Sequence, residues 1–88
     1  MISQAQLDAV GSSLEGQLIN ETTITTLRAE FSDIHFSYCM DDDVCGVIPV
    51  VEKALFNLYL IDGREHCLCL TNHYDNASGV LVAELVID

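Results

Sequence analysis

The side chains of this sequence that could act through a thiol or an imidazole all lie beyond the first third of the chain: His35, Cys39, Cys45, His66, Cys67, Cys69 and His73. Such residues could support zinc binding or cysteine nucleophilic catalysis. Zinc sites usually show two cysteines about two to four residues apart, matched by a second pair. Here five residues separate Cys39 from Cys45 and one separates Cys67 from Cys69. These spacings favour structural cysteines over a metal site.

A predicted hairpin determines where these side chains point. Residues 56–61 and 64–70 have the composition of two strands, and Asp62-Gly63 between them favours a two-residue type I′ turn. In that register Tyr59 pairs with His66, and paired residues share a face of the sheet. One face then holds the better core set: Phe56, Leu58, Leu60, Cys67, Cys69 and Thr71. We expect Cys67 and Cys69 to be small buried residues on that face.

The opposite face of the predicted sheet carries both candidate sites. Residues 34–40 alternate with period two, which turns Phe36, Tyr38 and Met40 toward the helices. Because two short helices cover one face only, the other face should expose an apolar patch that a homodimer would bury. The predicted interface consists of Tyr59, Ile61, Leu68 and Leu70. The same face holds a candidate thiol or zinc site, formed by His35, Cys39 and His66 and optionally joined by Cys45.

The remaining elements follow from capping residues and periodicity. Ser3 with Gln6 forms a capping box for a first helix that ends near Gly16. Asn20 can cap a second helix over residues 21–31, although four threonines there also suit a strand. Residues 80–86 give a last strand, and residues 72–76 a loop or a single helical turn. The sequence predicts an α+β fold: two N-terminal helices packed on one face of a four-stranded, mainly antiparallel sheet, as a single domain over residues 1–88.

Composition limits the classes of partner. Fourteen Asp and Glu oppose three Lys and Arg in 88 residues, a net charge of −11. Such a charge repels phosphate backbones and anionic membranes, and it suits a basic protein surface. The longest apolar run is four residues, and the first sixteen residues show no signal peptide, so we expect a cytoplasmic protein without nucleic-acid or membrane partners.

Three segments resemble a small bacterial family of unknown function: IHFSYCMDDD at 34–43, FNLYLIDGREHCLCLT at 56–71 and ASGVLVA at 77–83. We associate that family with nitrogen-fixing bacteria. The resemblance implies an accessory protein beside nitrogenase genes, and it assigns no residue a role.

These observations predict a non-enzymatic domain that binds another protein through its acidic surface or its open sheet face. No residues form a recognisable catalytic constellation, and no cofactor is expected. The alternative hypothesis is the thiol or zinc site of His35, Cys39 and His66.

Overall fold

The structure, a computed structural model, describes residues 2–16, 18–44, 47–62 and 69–85. Two α-helices come first, α1 at Gln4–Leu14 and α2 at Glu21–Glu30. Five strands are described after them: β1 His35–Met40, β2 Val51–Glu52, β3 Phe56–Asp62, β4 Cys69–Thr71 and β5 Gly79–Glu84. Short 3-10 turns occupy Asp41–Asp43 and Tyr74–Asn76. The predicted α+β class with two N-terminal helices is confirmed.

Both helices begin at the predicted capping residues. The Ser3 hydroxyl accepts from the amide of Gln6 at 3.1 Å, and the Gln6 side chain accepts from the amide of Ser3 at 2.9 Å. This reciprocal pair is the capping box that the sequence predicts. At its other end α1 stops at Leu14, because the backbone of Glu15 is already extended, with ψ at 135°. The following Gly16 adopts a left-handed φ of 80°, which glycine tolerates because it has no Cβ.

Residues 21–30 are helical despite their threonines. Asn20 caps the helix by accepting from the amide of Thr23 at 3.0 Å. Thr25 and Thr26 donate their hydroxyls to the carbonyls four residues earlier, at 2.9 and 3.1 Å. These bonds give the threonine hydroxyls partners inside the helix, while Ile24 and Leu27 are buried. Capping and one buried face therefore outweigh the strand propensity of the threonines.

The sheet is mixed, with strand order β1-β5-β3-β2. β1 runs parallel to β5, with Phe36 opposite Val80 and Tyr38 opposite Val82. The other pairs, β5 with β3 and β3 with both β2 and β4, are antiparallel. The sheet thus has five strands where four were predicted, because the short β2 lies in a segment that carried no strand signal, just after Pro49.

The prediction of a two-residue turn at Asp62-Gly63 is wrong. Asp62 is still in β3 and pairs with Cys69, and Ile61 pairs with Leu70, so six residues, 63–68, connect the strands. The predicted register would place residue 67 opposite Leu58, but β2 occupies that edge, with Val51 opposite Leu58. β4 instead pairs with the far end of β3. The slip is six residues, an even number, so Leu70 and Thr71 keep their predicted faces.

The core lies between the helices and one face of the sheet. The helices contribute Leu7, Val10, Leu14, Ile24 and Leu27, and the sheet contributes Phe36, Phe56, Leu58, Leu60, Val80 and Val82, all buried. At the edge of this core Phe31 meets Phe36 in an edge-to-face contact, with ring centroids 6.3 Å apart. We call the sheet surface away from the helices the second face.

Candidate functional site

The structure separates the two described members of the predicted metal site. His35 is exposed and Cys39 is half-buried, and both lie on the second face of β1. Four residues along one strand span about 13 Å, whereas the ligand atoms of one zinc ion lie within about 4 Å of one another. His35 and Cys39 are therefore too far apart to bind the same ion. His66 and Cys45, the other two candidates, lie outside the described residues, as does Cys67.

The surroundings of Cys39 favour its protonated thiol. Burial raises the pKa of this thiol, and the carboxylates of Asp43 and Asp41 raise it further. A cysteine acts as nucleophile or metal ligand through its thiolate, which a raised pKa makes scarce. Within the described parts of the chain, no three His, Cys, Asp or Glu side chains form a group that could hold a metal ion. The described residues give the thiol or metal hypothesis no support, and the site stays a prediction.

The three described residues of the predicted interface do not form an open patch. Tyr59 and Ile61 are buried, with 4 % and 3 % of their surfaces exposed, and Leu70 is half-buried. Leu68 lies outside the described residues. The predicted homodimer through these four residues stays a prediction, but Tyr59 and Ile61 offer it almost no surface in this conformation.

Asp41 explains part of that burial. β1 and β2 stand on opposite sides of the sheet, so the chain between them must cross β5 and β3. At the start of this crossing, the Asp41 carboxylate accepts from the hydroxyl of Tyr59 at 2.9 Å and from the side-chain amide of Asn57 at 3.1 Å. These bonds hold the beginning of the connection against the second face. Burial and the Asp41 carboxylate together raise the pKa of Tyr59.

A second tyrosine joins the helical layer to the sheet. Tyr38 donates its hydroxyl to the carboxylate of Glu84 on the neighbouring strand β5, and the carbonyl of Ile19 lies 3.5 Å from the same hydroxyl. The hydrogen bond to Glu84 and burial raise the pKa of Tyr38 to about 12. Both tyrosine hydroxyls are thus used in structural bonds to carboxylates, which withdraws them from acid-base chemistry near neutral pH.

A shallow cleft lies between the end of α1 and the turn from β2 to β3. Its lining is mainly apolar: Leu14, Glu15, Gly16, Lys53, Ala54, Leu55 and Phe56. Lys53 and Glu15 form an ion pair of 2.7 Å there, so the charges in the lining neutralise each other. The lining contains no histidine, cysteine or hydroxyl side chain that could serve as nucleophile or base.

Most acidic side chains of the described residues are exposed to solvent. Nine carboxylates among the described residues are exposed: Asp8, Glu15, Glu21, Glu30, Asp33, Asp42, Asp43, Glu52 and Asp75. Both basic side chains in the described ranges have partners, Lys53 in its ion pair and Arg28 through a 3.2 Å hydrogen bond to the carbonyl of Phe36. The field outside the protein is therefore that of a strongly negative surface.

Sequence reasoning missed Asp41, Arg28 and Tyr38 as organising residues. Asp41 opens a run of three aspartates that resembles a solvated acidic turn. Its partners Asn57 and Tyr59 are 16 and 18 residues away, so no local pattern signals the contact.

In the described parts of the chain, no helix is long and apolar enough to cross a bilayer.

Comparison with curated proteins and with solved structures gives no significant match. The model of one protein family matches residues 5–85, which include every element described above except Gln4, the first residue of α1. The chain therefore belongs to this family, a family of unknown function designated DUF6129.

Proposed function

We propose that this chain is a non-enzymatic, cytoplasmic domain that binds another protein through its acidic surface. The observation that carries the proposal is the exposure of nine carboxylates while Lys53 and Arg28 are already engaged. A partner with clustered Lys and Arg would be steered to such a surface and held there by charge. The same field repels a second copy, so the proposed partner is a different, basic protein.

The sheet face is the weaker of the two predicted binding routes. Tyr59 and Ile61 are buried in the single chain, so a partner on the second face would find little of them to contact. The acidic surface needs no rearrangement before it can bind.

Reconstituted binding tests the proposal. A partner captured from an extract of the source organism would be purified, and its affinity measured at about 50 and 300 mM salt. Because exposed charges are screened within about 6 Å at 0.3 M salt, we expect affinity to fall by tenfold or more. Affinity that does not change with salt would refute an electrostatic mode of binding.

Two charge-matched variants locate the surface. One carries Asp33→Asn, Asp42→Asn and Asp43→Asn, near the two ends of β1, and the other carries Asp8→Asn, Glu52→Gln and Asp75→Asn. Both reach the same net charge of −11 + 3 = −8. A partner that binds one defined surface should lose affinity with one variant more than with the other. Equal affinity of parent and both variants would refute the proposal.

An accessory role in nitrogen-fixing bacteria is a separate proposal that rests on the sequence resemblance alone. Deletion of the gene should slow growth on dinitrogen but not on ammonium. Equal growth of mutant and parent on dinitrogen would refute it.

A further inference from the structure

The outer edge of β1 has no strand beside it among the described residues. β1 is the first strand in the order β1-β5-β3-β2 and pairs only with β5. Its six residues, His35–Met40, contain no proline, lysine, aspartate or glutamate. Natural sheets usually protect such an edge with charges, prolines or bulges, since unpaired strands recruit other chains.

The backbone groups that face this edge can be assigned. The amide of His35 donates to the carbonyl of Ser78, just before β5, at 3.3 Å. In a parallel pair, alternate residues direct both their amide and their carbonyl to the partner strand. His35, Ser37 and Cys39 therefore face β5, whereas Phe36, Tyr38 and Met40 present their amides and carbonyls to the outside.

Arg28 covers one end of the edge only. Its guanidinium donates to the carbonyl of Phe36 at 3.2 Å, which confirms that this carbonyl is directed away from β5. Apart from the pairing of β1 with β5, no hydrogen bond of the described residues involves the amides of Tyr38 and Met40. The open part of the edge therefore runs from Tyr38 toward the end of β1.

Charge determines which chain fits there. Asp33 precedes β1, and Asp42 and Asp43 follow it, all three exposed. An antiparallel second copy would bring Asp33 of one chain near the aspartate run of the other, so like charges would oppose pairing. An extended segment with Lys or Arg at its ends would instead meet carboxylates at both ends of the strand.

We propose that β1 accepts an extended basic peptide of a partner protein as an added strand, with main-chain pairing at Tyr38 and Met40 and lysines or arginines beside Asp33, Asp42 and Asp43. Strand addition of this kind takes its affinity from main-chain hydrogen bonds and its specificity from the flanking side chains. The inference rests on the proposed function, because it names the kind of partner that the acidic surface binds.

Synthetic peptides test the pairing. The probe is a peptide of about ten residues with alternating threonine and valine in its centre and two lysines at each end. Its twin is N-methylated at every central residue, which keeps the charge and removes the main-chain donors on both edges. We expect the probe to bind at least tenfold more tightly than its twin, since several hydrogen bonds are lost together.

The matched protein variants are Met40→Pro and Met40→Ala. Proline removes an amide that faces outward, and the φ of −83° at Met40 is close to the value that proline requires, so the pairing with β5 should survive. Alanine removes the same side chain and keeps the amide. Met40→Pro should bind the lysine peptide about three- to tenfold more weakly than Met40→Ala.

Amide hydrogen exchange supplies a measurement that needs no variant. In the free protein, the amides of Ser37 and Cys39 should exchange slowly and those of Tyr38 and Met40 quickly, and the lysine peptide should slow the exchange of the latter two amides.

If both peptides bind equally and Tyr38 and Met40 gain no protection, the strand addition is refuted while binding of basic partners stands. If neither peptide binds, or if native mass spectrometry shows dimers that protect the same two amides, the edge does not take a basic peptide. The salt and charge-variant experiments judge the proposed function independently.

Discussion

Replacing Asp41 with alanine tests whether this carboxylate holds the start of the β1–β2 connection on the second face. The carboxylate accepts two side-chain hydrogen bonds, from Tyr59 at 2.9 Å and from Asn57 at 3.1 Å. Hydrogen bonds to a charged group contribute about 1.5–3 kcal/mol each. Asn57 is half-buried and can turn toward water, but Tyr59 is buried and would lose an acceptor. We therefore expect a loss of about 2–4 kcal/mol in the free energy of unfolding.

Urea denaturation followed by circular dichroism measures this loss directly, with linear extrapolation to zero urea. In a thermal scan, the same loss should lower the Tm by at least about 8 °C for a domain of this size.

Asp42→Ala is the matched control. It removes the same charge from the adjacent position, and Asp42 is exposed. We expect it to change the free energy of unfolding by less than about 0.5 kcal/mol. If Asp41→Ala and Asp42→Ala unfold at the same urea concentration, the bonds to Tyr59 and Asn57 do not stabilise the fold and our account of the second face is wrong.

Two further predictions concern single positions. Gly79→Ala should destabilise the chain by about 1–3 kcal/mol in urea denaturation, because an added Cβ would lie 2.6 Å from the backbone carbonyl of His35. Gly11→Ala should stabilise it by about 0.5–1 kcal/mol, since alanine has the higher helix propensity and its Cβ would lie 3.4 Å from the flexible Lys53 side chain and 3.9 Å from Val51, without a clash. Equal effects of the two substitutions would contradict the close β1–β5 approach. The pKa of Tyr38 is raised to about 12 from an ordinary 10, so the protonated hydroxyl stabilises the folded state fully below pH 10, and this stabilisation is lost as pH rises toward 12. Between pH 10 and 12, the free energy of unfolding of Tyr38→Phe should therefore fall less steeply with pH than that of the parent, as alkaline denaturation would measure.

The sequence predicts best the features whose two partners are close along the chain. Ser3 and Gln6 are three residues apart, and so are Asn20 and Thr23, so each cap is visible as a local pattern. The alternation in 34–40 and 56–61 likewise assigns the sheet faces correctly, because it depends only on the pleat.

The register of β4 could not be obtained from the same pattern. A shift of six residues preserves the alternation, so Leu70 and Thr71 lie on the same faces of the sheet in the predicted and the observed register. The two registers differ in whether β4 or β2 pairs with the part of β3 around Leu58. In the structure β2 occupies that position, and β2 is only two residues long. The Asp-Gly turn signal favoured the register that this competition excludes.

Whether Tyr59 is exposed on the second face also depends on a contact between residues far apart in sequence, the hydrogen bond from Tyr59 to Asp41. From the sequence, Tyr59 is a candidate for an exposed interface, and Asp41 belongs to a solvated acidic turn. A double-mutant cycle with Asp41→Ala and Tyr59→Phe measures whether the two residues are coupled as the structure requires. We expect the double variant to be less destabilised than the sum of the single variants by about 1 kcal/mol or more, since either change alone removes the bond. Additive effects would mean that the Tyr59 hydroxyl does not depend on Asp41, and the second face would again be a candidate for the predicted interface.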